Sequence, residues 1–164
     1  MKNKLLFNNK YRIPSTRIPD WDYSNKGYYF VTICAKDHEC FFGKIKDEKM
    51  VLSEIGEIAE KEWNITKKIR QGVLLDEYII MPNHIHGIMI LESGIDNLSA
   101  IIRGYKSAVT KKVKELGNES FQWQTRFYEH VIRTDKSLNA IREYIANNII
   151  KWELDDYHPK NLKK

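Results

Sequence analysis

The sequence predicts an α+β fold in which an antiparallel β-sheet has helices packed on it. Strand-like runs rich in aromatic and β-branched residues follow one another in pairs, as residues 73–81 and 84–91 do. Three longer segments carry apolar residues at helical spacing. With 164 residues, 42% of them hydrophobic, the chain has enough apolar surface for the core of one domain. Paired strands with interspersed helices favour a sheet that the helices cover on one face.

The first half of the chain predicts a basic arm, a strand, a hairpin and a helix. The arm lacks hydrophobic periodicity and contains Pro14 and Pro19. Ser53 is a suitable N-cap for the helix, and Gly72 is a suitable residue to end it. The elements are, in order, the arm at 1–26, a strand at 28–34, a hairpin with strands 41–45 and 50–52 around a polar turn, and a helix that follows Ser53.

The second half predicts two adjacent strands, a helix, another strand and a last helix. Pro82 and Asn83 separate the adjacent strands, and Gly117 follows the first of these helices. Thr134 or Asp135 can cap the last helix. The elements are strands at 73–81 and 84–91, a helix at 98–116, a strand at 121–132, a helix at 135–148, and a polar C-terminal tail at 151–164 that we expect to be peripheral.

The formal net charge of +5 is concentrated in two segments. Residues 1–20 and 101–116 each carry a net charge of +4, so the rest of the chain is slightly acidic. Such segments favour a polyanion such as nucleic acid, although solvated surface charge is the ordinary explanation of any one of them. Two cysteines are too few for a disulfide framework, and no segment has the pattern of a signal peptide or a membrane span. We therefore expect a cytoplasmic protein with no membrane partner.

The most informative motif is His84-Ile85-His86 in the second of the adjacent strands. Side chains at i and i+2 of a strand project from the same face, so the two imidazoles lie together while Ile85 points to the other side. Two imidazoles at this spacing can converge on one divalent cation. Buried imidazoles are costly unless their nitrogens have partners, which a metal or a phosphate would supply. Two unconnected histidines, one at a turn and one hydrogen-bonded under the sheet, remain the alternative.

Tyr144 and Asn148 are neighbours at i and i+4 on the last helix. A tyrosine is a poor nucleophile near neutral pH because its pKa is about 10. A nearby divalent cation that polarises a phosphate makes its phosphorus easier to attack, so a weaker nucleophile is sufficient. Held against a His84/His86 metal site, Tyr144 could attack a DNA phosphate. Ordinary packing is the alternative, and Tyr105 and Tyr128 are rival nucleophiles.

Four segments of the chain together resemble one protein family. They are residues 17–23 leading into 27–32, the block Glu77–Met89, the stretch Trp123–Arg133, and Ile141–Asn148. With them the sequence resembles the REP-associated tyrosine transposases, which are related to the small single-tyrosine (IS200-like) transposases with a His-hydrophobe-His signature. The likeness extends over residues 12–162.

The resemblance implies a ferredoxin/RRM-like HUH endonuclease fold, with a catalytic domain at residues 27–150. It implies a Mg²⁺- or Mn²⁺-dependent single-strand DNA endonuclease and strand-transfer activity on palindromic repeats that fold as hairpins. His84 and His86 match the family's metal pair. Tyr144 matches its nucleophile, and Asn148 matches the polar residue near the metal. Family members often have Pro after this Asn, where this chain has Ile149.

With this resemblance the basic segments become candidate DNA-binding surfaces. Trp21 and Tyr23 of the arm either stack on unpaired bases or pin the arm to the domain. The implied partner is single-stranded or hairpin DNA at the nucleoid, and the protein is either a monomer or a homodimer. The candidate DNA contacts are Arg12, Arg17, Arg103, Lys106, Lys111, Lys112, Arg126 and Arg133.

Two other functions stay open on the sequence. One is a non-catalytic DNA-binding protein, a degenerate transposase that acts as a repressor. The other is a metal phosphoesterase that uses His84 and His86 without covalent catalysis.

Overall fold

The structure, a computed structural model, describes residues 27–92 and 97–163. Its strands are β1 (Gly27–Cys34), β2 (Gly43–Lys46), β3 (Lys49–Leu52), β4 (Val73–Ile80), β5 (His84–Leu91) and β6 (Tyr128–Ile132). Its helices are α1 (Glu54–Ile69), α2 (Leu98–Glu115) and α3 (Asp135–Ala146), with short 3₁₀ turns at Lys36–His38 and Trp152–Leu154. Four strands form an antiparallel sheet in the spatial order β4-β5-β1-β6, and β2 and β3 form a separate hairpin. The predicted α+β class is confirmed.

The two central strands, β1 and β5, bury both of their faces. Alternate residues of β1, namely Tyr29, Val31 and Ile33, belong to one core cluster. Phe30, between them, belongs to a second cluster on the opposite face together with Ile88 of β5. Since successive side chains of a strand project to opposite faces, the sheet has an apolar layer on each side.

Helices α1 and α2 cover the first of these faces. Trp63 of α1 and Tyr105 of α2 are in ring contact there, with centroids 5.5 Å apart. Each helix begins at a side-chain cap, since Ser53 accepts a hydrogen bond from the Gly56 amide and Asn97 accepts one from the Ala100 amide.

Helix α3 covers the other face, which corrects the expectation that the helices lie on one side. Its buried residues Leu138, Ile141 and Ile145 pack against Phe30 and Ile88. An antiparallel sheet with one solvated face alternates apolar and polar residues, whereas β1 is buried at every position from Tyr29 to Cys34. The third helix is therefore needed to cover the second apolar layer.

Two predicted elements are shorter in the structure. The strand expected at 121–132 is confined to β6, and the residues before it form an isolated bridge, Trp123 with Ala35, just beyond the end of β1. The helix expected at 135–148 ends at Ala146, and the chain continues through turns. The predicted hairpin turn is confirmed, with Asp47 and Glu48 both at positive φ as a two-residue turn of this kind requires.

The C-terminal segment is not the peripheral tail that its polarity predicted. Trp152 and Tyr157 are buried and form a third apolar cluster with Met81 and Cys34. The predicted arm at 1–26, with Arg12, Arg17, Trp21 and Tyr23, lies outside the described residues. Among the helices that are described, none is both long enough and apolar enough to cross a membrane.

Candidate active site

His84 and His86 lie side by side on the α3 face of the sheet. Both side chains are completely buried, and their Nε2 atoms are 3.1 Å apart. Ile85, between them, points into the core on the opposite face. The strand alternation therefore brings the two imidazoles together as the sequence predicted.

Neighbouring side chains orient the first imidazole. Asn83 donates from Nδ2 to two backbone carbonyls, those of His38 at 2.9 Å and Tyr157 at 2.7 Å. Its Oδ1 therefore faces His84 Nδ1, at 2.8 Å. Because an amide oxygen can only accept, His84 carries its proton on Nδ1 and presents a lone pair at Nε2.

The second imidazole is oriented by β1. Thr32 is paired with His86 across the sheet, and its Oγ1 lies 2.8 Å from His86 Nδ1. A hydroxyl can accept from a protonated Nδ1, which leaves a lone pair on the Nε2 of His86 as well. Sequence reasoning missed both Thr32 and Asn83. The sequence cue for Asn83 was its position as a polar residue at a turn between two apolar strands. In the structure it is completely buried, and buried polar groups need hydrogen-bond partners.

Helix α3 brings Tyr144 to this pair. The Tyr144 hydroxyl lies 3.2 Å from His86 Nε2, and the two rings are in contact with centroids 5.2 Å apart. Of the rival nucleophiles, Tyr105 lies on the opposite face and donates to the carbonyl of Ala59. Tyr128 lies on the same face as Tyr144, at the edge of the Phe30 ring.

Asn148 completes this contact from the turn that follows α3. Its side chain hydrogen-bonds Tyr144 and is 2% exposed. Its Oδ1 is buried and has no hydrogen-bond partner among the described residues. An amide oxygen in that state is available to a ligand, since an unsatisfied buried acceptor costs free energy. Tyr144 and Asn148 are therefore in contact, as their i, i+4 spacing predicted, although α3 ends before Asn148.

Asp155 enters the site from the C-terminal segment, and sequence reasoning missed it. Its Oδ2 lies 3.9 Å from His84 Nε2, and the Tyr157 ring is in tilted contact with His84, with centroids 4.7 Å apart. The aromatic residues Trp152 and Tyr157 lie on either side of Asp155 in a mostly polar segment. Two large aromatic residues in such a segment indicate that it packs on the domain.

The electrostatics favour a cation between these groups. Burial, the neighbouring His86 and His38 all lower the pKa of His84, and burial lowers the pKa of His86 to about 3, so both imidazoles are neutral at physiological pH. With Nδ1 protonated on both rings, the two Nε2 lone pairs face each other across 3.1 Å and repel, so a cation between them would stabilise this arrangement. Burial and the negative charge of Asp155 raise the pKa of Tyr144, which makes its phenolate unfavourable in the absence of a cation.

The available donors fit a divalent metal ion. One ligand atom from each of His84, His86 and Asp155 lies within 4.8 Å of the others. The unpartnered Oδ1 of Asn148 is a further oxygen donor beside Tyr144. Imidazole nitrogen with carboxylate and amide oxygen is a ligand set that divalent cations accept in proteins.

The candidate DNA contacts fall into two groups. Arg103, Lys111, Arg126 and Arg133 have exposed side chains. Lys106 and Lys112 instead have partners within the protein. Lys106 donates to the carbonyls of Gln124 and Arg126, at 2.7 and 3.2 Å, and Lys112 pairs with the buried Glu62 of α1.

Comparison with known proteins identifies the family. A family model described as "Transposase IS200 like" matches residues 23–148. An uncharacterized protein of Haemophilus influenzae is 36% identical over 88% of this chain and 92% of its own length. A REP-associated tyrosine transposase of Escherichia coli K12 is 32% identical over 51% of this chain and 54% of its own length.

A solved structure supports the fold. The structure of a REP-associated tyrosine transposase bound to a REP hairpin superposes with a TM-score of 0.64 at 23% identity, over 83% of this chain and 74% of that one. A similarity at this identity shows a shared fold. Together with the family match over residues 23–148, it confirms the resemblance expected from the sequence: this chain belongs to the IS200-like transposase family, as a relative of the REP-associated tyrosine transposases.

Proposed function

We propose that this protein is a metal-dependent single-strand DNA endonuclease and transposase that nicks and rejoins palindromic repeat DNA through Tyr144. The observation that carries the proposal is the 3.2 Å contact between the Tyr144 hydroxyl and His86, within the cluster that also holds His84, Asn148 and Asp155. Packing against Phe30 needs only the ring of this half-buried tyrosine, whereas phosphoryl transfer uses its hydroxyl together with the two buried imidazoles and the unpartnered amide oxygen.

In the proposed reaction the Tyr144 oxygen attacks a DNA phosphorus, and the bond from phosphorus to the 3′ oxygen breaks. The products are a 5′-phosphotyrosine and a free 3′-OH, and the reverse attack by a 3′-OH rejoins a strand and releases the tyrosine. Asn148 orients the Tyr144 hydroxyl through their hydrogen bond. Helix α3 holds that hydroxyl against the sheet, so nucleophile and phosphate meet in a fixed geometry.

Mg²⁺ or Mn²⁺ bound at this site would polarise the phosphate oxygen and neutralise the charge that develops on it. His84 and His86 would hold it, with Asp155 and the Asn148 oxygen as further donors. Asn83 and Thr32 fix the imidazoles with their Nε2 atoms toward each other, as outer partners of metal-binding histidines do.

The DNA partner is supported by charge and by the relatives. Arg103 and Lys111 are exposed on α2, and Arg126 and Arg133 are exposed before and after β6. Phosphate contacts of this kind provide sequence-independent affinity. The related transposase of known structure is bound to a REP hairpin, and we propose a hairpin or single-stranded DNA of the same class as the substrate here.

The experiment is a covalent-adduct assay on fluorescent oligonucleotides. Each oligonucleotide is a palindromic hairpin with a different four-nucleotide single-stranded foot, labelled at either its 3′ or its 5′ end and incubated with Mn²⁺ or Mg²⁺. We expect the 3′ label, and not the 5′ label, to move with the protein on a denaturing gel. Tyr144→Phe, which removes a single oxygen, should abolish the adduct and keep DNA binding.

The matched control is Tyr128→Phe, which removes the same atom from the rival tyrosine on this face and should leave the adduct intact. An adduct that persists in Tyr144→Phe contradicts the assignment of the nucleophile. Multiple-turnover cleavage without an adduct would indicate the phosphoesterase alternative. DNA binding without cleavage, unaffected by His84→Ala, would indicate the repressor.

A further inference from the structure

An ion pair ties the tyrosine helix to the far edge of the sheet. Arg142 of α3 donates from Nε to Asp76 Oδ1 at 2.9 Å and from Nη2 to Asp76 Oδ2, so the guanidinium and the carboxylate meet side by side through two hydrogen bonds. Asp76 is mostly buried, with a side chain 12% exposed, and Arg142 is 40% exposed. A bidentate pair fixes relative orientation as well as distance.

The backbone of β4 is irregular at the acidic partner. The pairing register with β5 shifts between Leu75 and Tyr78, so this edge strand contains a β-bulge. Leu75 and Tyr78 both pack on the α1/α2 core, although three positions separate them. In a regular strand, residues three positions apart lie on opposite faces. The extra residue of the bulge lets Leu75 and Tyr78 both face the α1/α2 core while Asp76 faces α3. The Glu77 amide donates to Asp76 Oδ1 at 2.7 Å and holds the carboxylate in place.

The position of this ion pair on α3 determines what it can control. The helix leaves β6, at one edge of the sheet, after a two-residue connection, and it reaches β4, at the opposite edge. Its N-terminal end is therefore fixed by the chain, whereas the contacts of Leu138, Ile141 and Ile145 are apolar and non-directional. The Arg142–Asp76 pair is a directional contact between α3 and the edge strand β4, near the other end of the helix and two residues from Tyr144.

We propose that Asp76 and Arg142 are positioning residues that lock α3 against β4 and so set the Tyr144 hydroxyl against the His84/His86 pair. This inference rests on the proposed function for its catalytic consequence, because a misplaced nucleophile slows the chemical step. It predicts a slower adduct formation with unchanged binding of DNA and metal, since neither residue lies in the His84–His86–Asp155 cluster.

The test is a double-mutant cycle of Asp76→Asn, Arg142→Gln and the double variant. Asp76→Asn keeps an acceptor for the Glu77 amide, and it removes the charge and one of the two acceptors that Arg142 uses. With saturating oligonucleotide and Mn²⁺, we expect the single-turnover rate of adduct formation to fall about 10-fold in each single variant, because displacements below 1 Å have effects of this order. The rate of the double variant should also be about 10-fold below that of the wild type, since the two residues act as one unit.

DNA affinity, Mn²⁺ affinity measured by electron paramagnetic resonance, and the thermal midpoint should stay close to those of the wild type. A purely structural role of the pair would lower the midpoint and leave the rate at saturation unchanged. Lys136→Gln, which removes a positive charge from an exposed position of the same helix, is the matched control and should keep the wild-type rate. The proposal is overturned if the rate of the double variant is about 100-fold below that of the wild type, which would mean independent effects. It is also overturned if the single variants keep the wild-type rate.

Hydrogen exchange of the free protein separates this inference from the proposed function. Loss of the pair should raise exchange about 10-fold in the peptide 143–147 and leave α2 unchanged. If wild-type protein forms no adduct but exchange responds in this way, the proposed function fails and the lock on α3 stands. If wild-type protein forms the adduct and neither its rate nor the exchange responds to the variants, the lock fails alone.

Discussion

Gly87 follows the histidine pair directly, and a methyl group at this position should destabilise the whole domain. A Cβ added to Gly87 would lie 2.2 Å from Trp63 Cζ2 and 2.7 Å from Cη2, both far shorter than an ordinary contact. Helix α1 therefore approaches the sheet closely enough that only glycine fits on β5 beneath the indole.

The magnitude follows from how little Trp63 can move. Its side chain is completely buried, with the ring of Tyr78 on one side at 6.0 Å and that of Tyr105 on another at 5.5 Å. Overpacking a rigid core of this kind costs about 3 kcal/mol. For a chain of this length that corresponds to a melting temperature lower by about 6–12 °C.

Urea denaturation and calorimetry of Gly87→Ala test the prediction, with two companion variants. Gly27→Ala is the matched control, because its Cβ would lie at an ordinary 3.4 Å from the Tyr29 ring, and it should change stability by less than about 0.5 kcal/mol. In Trp63→Phe the smaller ring makes room, so the combined variant should be more stable than the sum of the two single effects by about 1 kcal/mol or more. A Gly87→Ala protein as stable as wild type, or additive effects, would refute the close approach.

Three further predictions concern the site and the basic helix. Asn83→Ala should weaken Mn²⁺ binding by about 10-fold to 100-fold in calorimetric titration, because His84 then loses the acceptor that fixes its proton on Nδ1; unchanged affinity would mean that the amide does not orient the imidazole. Lys111→Gln should reduce DNA affinity and its salt dependence, while Lys106→Gln should reduce them less, because the Lys106 ammonium is already bound to two carbonyls; equal losses would contradict this difference. Burial lowers the pKa of Lys106 to about 8, so between about pH 8 and pH 10.5 folding releases a proton that the unfolded chain retains. The stability of wild type relative to Lys106→Gln should therefore rise with pH over this interval in urea titrations at each pH; a flat difference would refute the shift.

The sign of this pH dependence comes from linkage. Between pH 8 and 10.5 the unfolded chain binds more protons at Lys106 than the folded chain does, so the stability of the folded state increases with pH. Below pH 8 the lysine is charged in both states, and the full cost of burying that charge is present.

Local patterns predicted those features of the site that depend on one element at a time. A strand repeats every two residues, so the sequence alone placed His84 and His86 on one face and Ile85 on the other. A helix repeats every 3.6 residues, so it also made Tyr144 and Asn148 neighbours, and they hydrogen-bond in the structure although α3 ends at Ala146.

The near-continuous apolar run of β1 is typical of a strand that is covered on both faces. Six consecutive buried positions from Tyr29 to Cys34 require apolar partners on both sides of the strand. The order of elements along the chain, by contrast, carries no information about which face a helix takes. The expectation of a single covered face was wrong for that reason.

Local sequence patterns were enough to predict the set of elements, their caps and turns, and the pairs of residues that share a face within one element. Which elements meet depends on how they pack against one another. The sheet order β4-β5-β1-β6 places Thr32 opposite His86 and places Asp76 within reach of α3. Asp155 approaches His84 from a C-terminal segment that its composition predicted to be a peripheral tail. The physical reason is that periodicity encodes which way a side chain points from its own backbone, whereas convergence of His84, Tyr144 and Asp155 depends on packing between segments up to 71 positions apart in the chain.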